Sequence, residues 1–401
     1  MVGTCILYLP HQYMQGGILF SALTMTGLAI LSTYNMLLLL RCRERLATLG
    51  TPAGSFGDVG LAALGRTGRA GVDMSLLLSQ LGFCVTYFIY VEQNIGPVLD
   101  PALPGGLRWL SSAGALIALQ AAVYIPLSWV RRLKYLGVGM FVANACVWVG
   151  LALIVSQIAL QLQMHGVASA SKGGAEEQIR LFNPSHCLLL LGSLNSAFEG
   201  IGLVIPIQDA MDTKHRHRFG AVVCWCMAGI TVLYLGFASS GLLAYGGEVG
   251  NFITMELPED SAVGILARVA YSMAVIFTYP LQLFPAVKVI ERLLWPVPRN
   301  GGKKRPSRRR KWLKNVLRAA VVGGTAVIAL FAGDQFDSFM GLVGGLCAVP
   351  LALIYPVLFH MRLFWPQTAR WARGLHALLL AFGVFSMVAS SAVAFTTWGG
   401  A

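Results

Sequence analysis

Two short stretches carry the residues best placed for chemistry. Gly3, Thr4 and Cys5 lead into LYLPHQ (Leu7–Gln12), and Phe198, Glu199, Gly200, Ile201 and Gly202 lead into LVIPIQ (Leu203–Gln208). Laid over each other, the two six-residue pieces share Leu, Pro and Gln, and glycines precede both. Glycine has no side chain and a high backbone entropy, so a helix unwinds most readily there. Unwinding frees N–H and C=O groups, which lipid tolerates only where they are buried in protein or line a cavity. Freed amides at the positive end of a half-helix suit a carboxylate, and freed carbonyls suit an ammonium or a cation. The chemistry these residue types offer is therefore binding of a small zwitterion. Packing glycines and kinking prolines would account for either stretch alone. The two together, similar and opposed in direction, favour a pair of breaks.

Glu199 stands near the middle of its apolar segment. An acidic residue at that depth costs about 2.5–3.5 kcal/mol to insert, so a partner, water or a proton must offset it. Two roles are open: proton coupling, or bracing of the broken helix by bonding its freed amides. Glu92 in YVEQNIGP lies nearer the end of its span and reads as interfacial. His11, just past Pro10, is expected at the outer mouth. Thr278, Tyr279 and Gln282 in FTYPLQLFP give a proline-kinked segment a polar face, read as candidate cavity lining. The eight cysteines lie mostly inside or at the ends of apolar runs, without a disulfide framework. Cys224 and Cys226 point to different faces of a helix, which argues against a metal site. No paired His, HExxH or Ser-His-acid constellation appears at span depth, so neither catalytic residues nor a metal or organic cofactor is expected.

These residues need elements that cross a bilayer. The 401-residue chain is 56% hydrophobic and 12% charged, against roughly 25% charged in soluble domains. Apolar runs predict spans at 16–40, 71–98, 107–130, 133–160, 187–208, 219–245, 262–294, 316–332, 336–359 and 371–396. The opening segment is too short to cross and shows no cleavable signal. A short surface helix is expected at 55–64, and the longest loop on one side is 165–185. Of 30 Lys and Arg, all but Arg108, Lys172, Arg180 and Arg268 fall on one side of this scheme, which should be cytosolic. Loop carboxylates such as Glu248, Glu256, Glu259 and Asp260 lie opposite. The net charge of +13 is concentrated in loops such as GGKKRPSRRRK, which reads as a lipid-headgroup contact and not as a nucleic-acid patch.

The two broken segments are five spans apart, and an odd offset makes them cross in opposite directions. Interrupted helices so related are the mark of an inverted repeat with a midplane site. The chain resembles the amino acid/auxin permease superfamily, in particular its proton-assisted and vacuolar amino acid transporter branch. The resemblance rests on VGTCILYLP (Val2–Pro10), SFGDVG (Ser55–Gly60), AFEGIGLVIP (Ala197–Pro206) and TYPLQ (Thr278–Gln282), in span order along essentially the whole chain. It implies an all-α polytopic, leucine-transporter-like (LeuT-like) fold of five plus five helices and an eleventh. Its N-terminus would be cytosolic and its C-terminus luminal or extracellular, in a vacuolar, lysosomal-type or plasma membrane.

It also implies one transport domain over 1–401, working as a monomer in the lipid bilayer. Small amino acids would bind with the carboxylate at Gly3, Thr4 and Cys5. Phe198, Glu199, Gly200, Ile201 and Gly202 would meet the amino group and side chain. Protons are the family's usual coupling ion, and the residues do not discriminate H+ from Na+. The sequence departs from the family at Cys5, where glycine is usual. Met1 also falls inside the family's first helix, so a first helix truncated at its cytosolic half, and hence a leaking or inactive carrier, is expected of a chain beginning there. Two functions fit the scaffold: a secondary active transporter, and a sensor that binds amino acids with little transport.

Overall fold

The computed structural model describes residues 3–51, 53–130, 133–165, 180–184, 187–258, 261–295 and 308–398. Met1 and Val2, Arg131 and Arg132, Lys172 with most of the 165–185 loop, Glu259 and Asp260, and 296–307 of the basic loop lie outside the described residues. Among the described residues every regular element is helical. Nine helical stretches are long and apolar enough to cross a membrane, or ten when one bent pair counts as a span.

Apolar composition selects the spans; glycines and prolines punctuate them. Helices α1 (Cys5–Gly16) and α2 (Ile18–Thr48) meet at Gly17, whose φ of 85° favours glycine. A Cβ there would lie 2.6 Å from the Phe182 amide nitrogen. The adjoining strip bonds the two open helix ends. Ile18 and Phe20 donate to the carbonyls of Arg180 and Leu181, and Asn183 donates to Gly16.

Next comes α3 (Phe56–Leu99), with a non-helical Gly65 at φ 71° separating the expected short helix from the span. The span expected at 107–130 is not one straight helix. A 3₁₀ turn at Gly105–Ser111 meets α4 (Ala113–Ser128) at 67°, because Ser112 is extended there and caps α4 with its hydroxyl.

Then follow α5 (Leu133–His165), α6 (Cys187–Ala197), α7 (Ile201–Ala210), α8 (Phe219–Tyr245), α9 (Ala262–Leu294) and α10 (Arg308–Ala332). Helix α11 (Phe336–Val343) runs through π-helical turns at Gly344–Ala348 and Pro350–Ile354 into α12 (Tyr355–Phe364), and α13 (Arg370–Thr397) ends the fold.

The chain divides into two units, 1–79 with 168–249 and 337–401, and 80–167 with 250–336. One boundary falls inside α3. Helices α1, α2, α6, α7, α8, α12 and α13, the first half of α3 and nearly all of α11 belong to the first unit; the rest of α3 with α4, α5, α9 and α10 belongs to the second.

In the first unit, α6 packs against α13 and the π-helical turn at Gly344–Ala348, α1 lies on α8 and α6, and α2 lies on α12 and α8. Glycines permit the closest approach: a Cβ on Gly192 would stand 2.7 Å from the Gly341 carbonyl oxygen and 2.9 Å from Ser390 Oγ. The π-helical register has irregular carbonyls, and Asn35 of α2 donates to that of Ala352 at 2.7 Å.

In the second unit α5 runs along α9, while α4 packs on α10 and α9. Tyr124 and Tyr279 stack at 3.8 Å between ring centroids, with the Phe88 edge on both. Arg268, 2% exposed, donates to the carbonyls of Thr254, Met255 and Leu257 and so holds the connection before α9. At the other end Arg318 donates to the Ser128 and Val130 carbonyls and to Glu291. A cation there satisfies the last carbonyls of α4.

Gly192→Val should lower stability by about 1–3 kcal/mol through overpacking. Gly229→Val on α8, where a Cβ would meet nothing within 4 Å, should be neutral or slightly stabilising. Thermal melting of the detergent-solubilised variants compares the two.

Candidate binding site at the helix break

The apolar run 187–208 does not stay helical. α6 ends at Ala197, α7 begins at Ile201, and Phe198, Glu199 and Gly200 lie between them. Phe198 and Glu199 donate to the carbonyls of Asn195 and Ser196, both at 3.2 Å and both three residues back. Leu203 donates to the Gly200 carbonyl at 3.0 Å as the next helix starts. The last carbonyls of α6 and first amides of α7 therefore lie outside a continuous helical ladder. At the start of the chain, Gly3 and Thr4 form a bend and α1 begins at Cys5. Ile6 and Leu7 donate back to the carbonyls of Gly3 and Thr4.

The fold brings the two stretches into one unit. The Phe198 ring packs on Tyr234 of α8 at 5.7 Å, and α1 packs on both α8 and α6. Phe198 and Ile201 are fully buried, while Glu199 and Gly200 are half-buried. Ser79 of α3 donates its hydroxyl to Glu199 Oε2. A Cβ on Gly202 would come 2.8 Å from Leu76 Cδ2, so α7 passes close to α3 here.

Asn195, which the sequence reading passed over, sits one turn before Glu199 and is fully buried. Neither polar atom of its amide has a hydrogen-bond partner among the described residues. A buried unpaired amide costs about 1–3 kcal/mol, so it suits a ligand able to satisfy it. Its polar type, one turn before the glycine break, was the available signal.

Thr278, Tyr279 and Gln282 belong to the other unit. α9 continues through Pro280 and Pro285. Thr278 bonds back to the carbonyls of Ala274 and Val275, and the buried Tyr279 hydroxyl meets Thr325 at 3.0 Å. Gln282 is half-buried.

Polar contacts fasten α1 beside the break. Ser193 of α6 donates to the buried Gln12 side-chain oxygen. His11, expected at the outer mouth, is enclosed by protein. It is 7% exposed, with its Nδ1 2.6 Å from the Val249 carbonyl oxygen and its Nε2 3.0 Å from Asp337 Oδ2. At the far end of α7, Arg43 binds Gln208 and Asp209, and Arg216 donates to the carbonyls of Asp209 and Met211.

A family model described as transmembrane amino acid transporter protein matches residues 1–396. The chain is 31% identical over 412 residues to vacuolar amino acid transporter 4 of Saccharomyces cerevisiae, covering 97% of this chain and 56% of that protein. It spans little more than half the length of that relative. It is 26% identical over 405 residues to the proton-coupled amino acid transporter-like protein pathetic of Drosophila melanogaster, covering 96% of this chain and 80% of that protein. Among solved structures, it is similar to a substrate-bound, outward-open Na+-coupled sialic acid symporter. That match has a TM-score of 0.48 and 14% identity, with 98% of this chain and 89% of the other covered.

Ser193→Ala should destabilise by about 1–3 kcal/mol, because it removes the donor to a buried oxygen. Gln12→Met removes that oxygen in nearly the same shape, so the double variant should lose less than the two single losses combined. A double-mutant cycle on melting in detergent measures the difference.

Proposed function

The chain belongs to the transmembrane amino acid transporter family, and from that membership we propose that it is a secondary active carrier of small amino acids, coupled to protons and working by alternating access. The observation that carries the reading is the interruption at Phe198–Gly200 inside an otherwise buried helix, with the start of α1 in the same unit. The substrate carboxylate takes the first amides of α1 at Gly3, Thr4 and Cys5, where the helix dipole is positive. Its ammonium takes the last carbonyls of α6, where the dipole is negative. Phe198, Ile201 and Gly202 bound the substrate side chain, and Asn195 supplies the polar contact that its own surroundings leave unused. Cys5 in place of glycine narrows the pocket and selects small substrates.

For Glu199 the Ser79 hydroxyl supports the bracing role. A carboxylate held from α3 can accept the amides that the break releases and keep the two half-helices in register. Thr278, Tyr279 and Gln282 are assigned to cavity lining within their own unit, where Thr278 and Tyr279 also place their hydroxyls. Residues 1–401 act as one transport domain. The basic loops face the cytosol, the C-terminus faces the lumen and the membrane is vacuolar; the positive-inside count and the name of the yeast relative support this. The name of the fly relative supports protons over Na+ as the coupling ion.

Purified chain in proteoliposomes should accumulate labelled alanine when a pH gradient is imposed and lose that accumulation when the gradient is collapsed. Binding of alanine without flux would overturn the carrier reading. Glu199→Gln should cut flux about tenfold at every pH and leave the shape of the pH profile unchanged. A flattened profile would return Glu199 to proton coupling. Asn195→Leu should raise KM with kcat little changed.

A further inference from the structure

Three side chains of α1 meet one carboxylate of α11, apart from the groups assigned to the substrate. Tyr8, His11 and Gln15 follow the spacing that puts residues on one face of a helix. Asp337 lies in the first turn of α11, where the dipole favours a negative charge. The Tyr8 hydroxyl donates to Asp337 Oδ1 at 2.6 Å, and the Gln15 amide donates to Oδ2. His11 Nε2 also faces Oδ2, at 3.0 Å, while Nδ1 faces the Val249 carbonyl at 2.6 Å. The Tyr8 and His11 rings stack at 5.7 Å.

The partners fix the proton count. A carbonyl only accepts, so Nδ1 carries a hydrogen. Asp337 receives Tyr8 and Gln15 as donors, a ligand set for an ionised carboxylate. A second ring proton, on Nε2, then completes an imidazolium–carboxylate pair. When that proton leaves, Nε2 becomes an acceptor, and the Gln15 amide nitrogen stands 3.0 Å from it with a second N–H to give. The same four side chains thus satisfy both protonation states. Loading moves one proton from water to Nε2 and unloading returns it; no other covalent bond changes.

We propose that His11, held between the Val249 carbonyl and Asp337, binds and releases the coupling proton, with Gln15 taking its place when the proton leaves. This rests on the proton-coupled carrier reading above. The helix that carries His11 begins with the residues assigned to the substrate carboxylate, about 9 Å away at 1.5 Å per residue. A proton that ties α1 to Asp337 therefore biases the position of the substrate's own binding amides, and the substrate biases the proton in return. Imidazole is suited to the task because it titrates between about pH 5 and 8.

Other titratable groups near the pair are few in kind. Tyr8 faces it from α1, and Asp334 precedes Asp337 by three residues in the chain. Glu248 precedes Val249. Among the helices packed on α1, α6 carries Cys187, α8 carries Cys224, Cys226, Tyr234 and Tyr245, and α2 carries none before Tyr34. The imidazole pairs with the Asp337 carboxylate, and the Tyr8 hydroxyl touches the same carboxylate.

The test uses the full chain in proteoliposomes, with three readouts: alanine accumulation under a pH gradient, alanine exchange at equal pH, and substrate-evoked proton entry reported by an internal dye. His11→Gln and Asp337→Asn should each reduce accumulation and proton entry at least about tenfold and leave exchange within about threefold. Gln15→Leu should slow net accumulation and spare exchange, because the unloaded imidazole loses its donor. Accumulation and proton entry within about twofold of the parent chain in His11→Gln would overturn the proposal.

If the parent chain shows no flux at any pH, the carrier reading fails. The proton site is then decided by nitrogen-15 histidine spectra of the purified chain. A signal absent from His11→Gln should titrate between about pH 5 and 8 and respond to Asp337→Asn; a signal constant over that range overturns the proposal. Should His11→Gln fail to fold, accumulation and proton entry in Asp337→Asn decide by the same thresholds.

Discussion

Backbone amides and carbonyls in hydrocarbon must find partners inside the protein, and this constraint explains why the break at Phe198–Gly200 carries so much of the structure. A helix interrupted within a span is tolerable only where protein surrounds it or it lines a cavity. The surroundings here meet that requirement from several sides. Phe198 lies on Tyr234, Glu199 is held by Ser79, Gly202 passes against Leu76, and α6 is seated on Gly341 and Ser390 through Gly192. Residues that would be unremarkable in a straight helix become a site because the ladder stops among them.

The same constraint accounts for what the sequence made legible. Span positions follow from apolar length, and 219–245 and 262–294 coincide with α8 and α9 because each is a single uninterrupted run. The break at 198–200 was readable because a mid-span Glu beside glycines conflicts with a continuous helix. The separate helix before Gly65 followed from a short amphipathic piece ahead of a span. The bend before α4 was not foreseen, since Leu107–Leu110 is apolar enough to join the run and only the extended Ser112 separates them.

What stayed hidden is mostly long-range. The partner of His11 is not visible locally; Asp337 lies 326 positions away and reaches it only through the packing of unit one. The stacking of Tyr279 on Tyr124 was not visible locally, since it depends on a helix more than a hundred residues earlier. Arg268 counted as an outer-side charge, yet its guanidinium is enclosed by three carbonyls of the preceding connection. Residue type announces that a polar group needs a partner; only the fold decides which.

Within the first unit, the strength of individual contacts argues for one element whose position can change. α6 is fixed to its neighbours by close glycine contacts, which have no intermediate spacing: a Cβ does not fit, and a gap forfeits the contact. α1 is fastened differently, by Ser193 to Gln12, by Tyr8, His11 and Gln15 to Asp337, and by the strip at Arg180–Asn183 to its far end. Hydrogen bonds of this kind contribute about 0.5–1.5 kcal/mol each, more when charged, and can be exchanged for others at small net cost. A helix held by a few replaceable polar contacts beside one held by shape is the arrangement in which a single proton or ligand can tip a balance. Its magnitude is that of one charged hydrogen bond, which matches the few kcal/mol that separate conformations in proteins of two states.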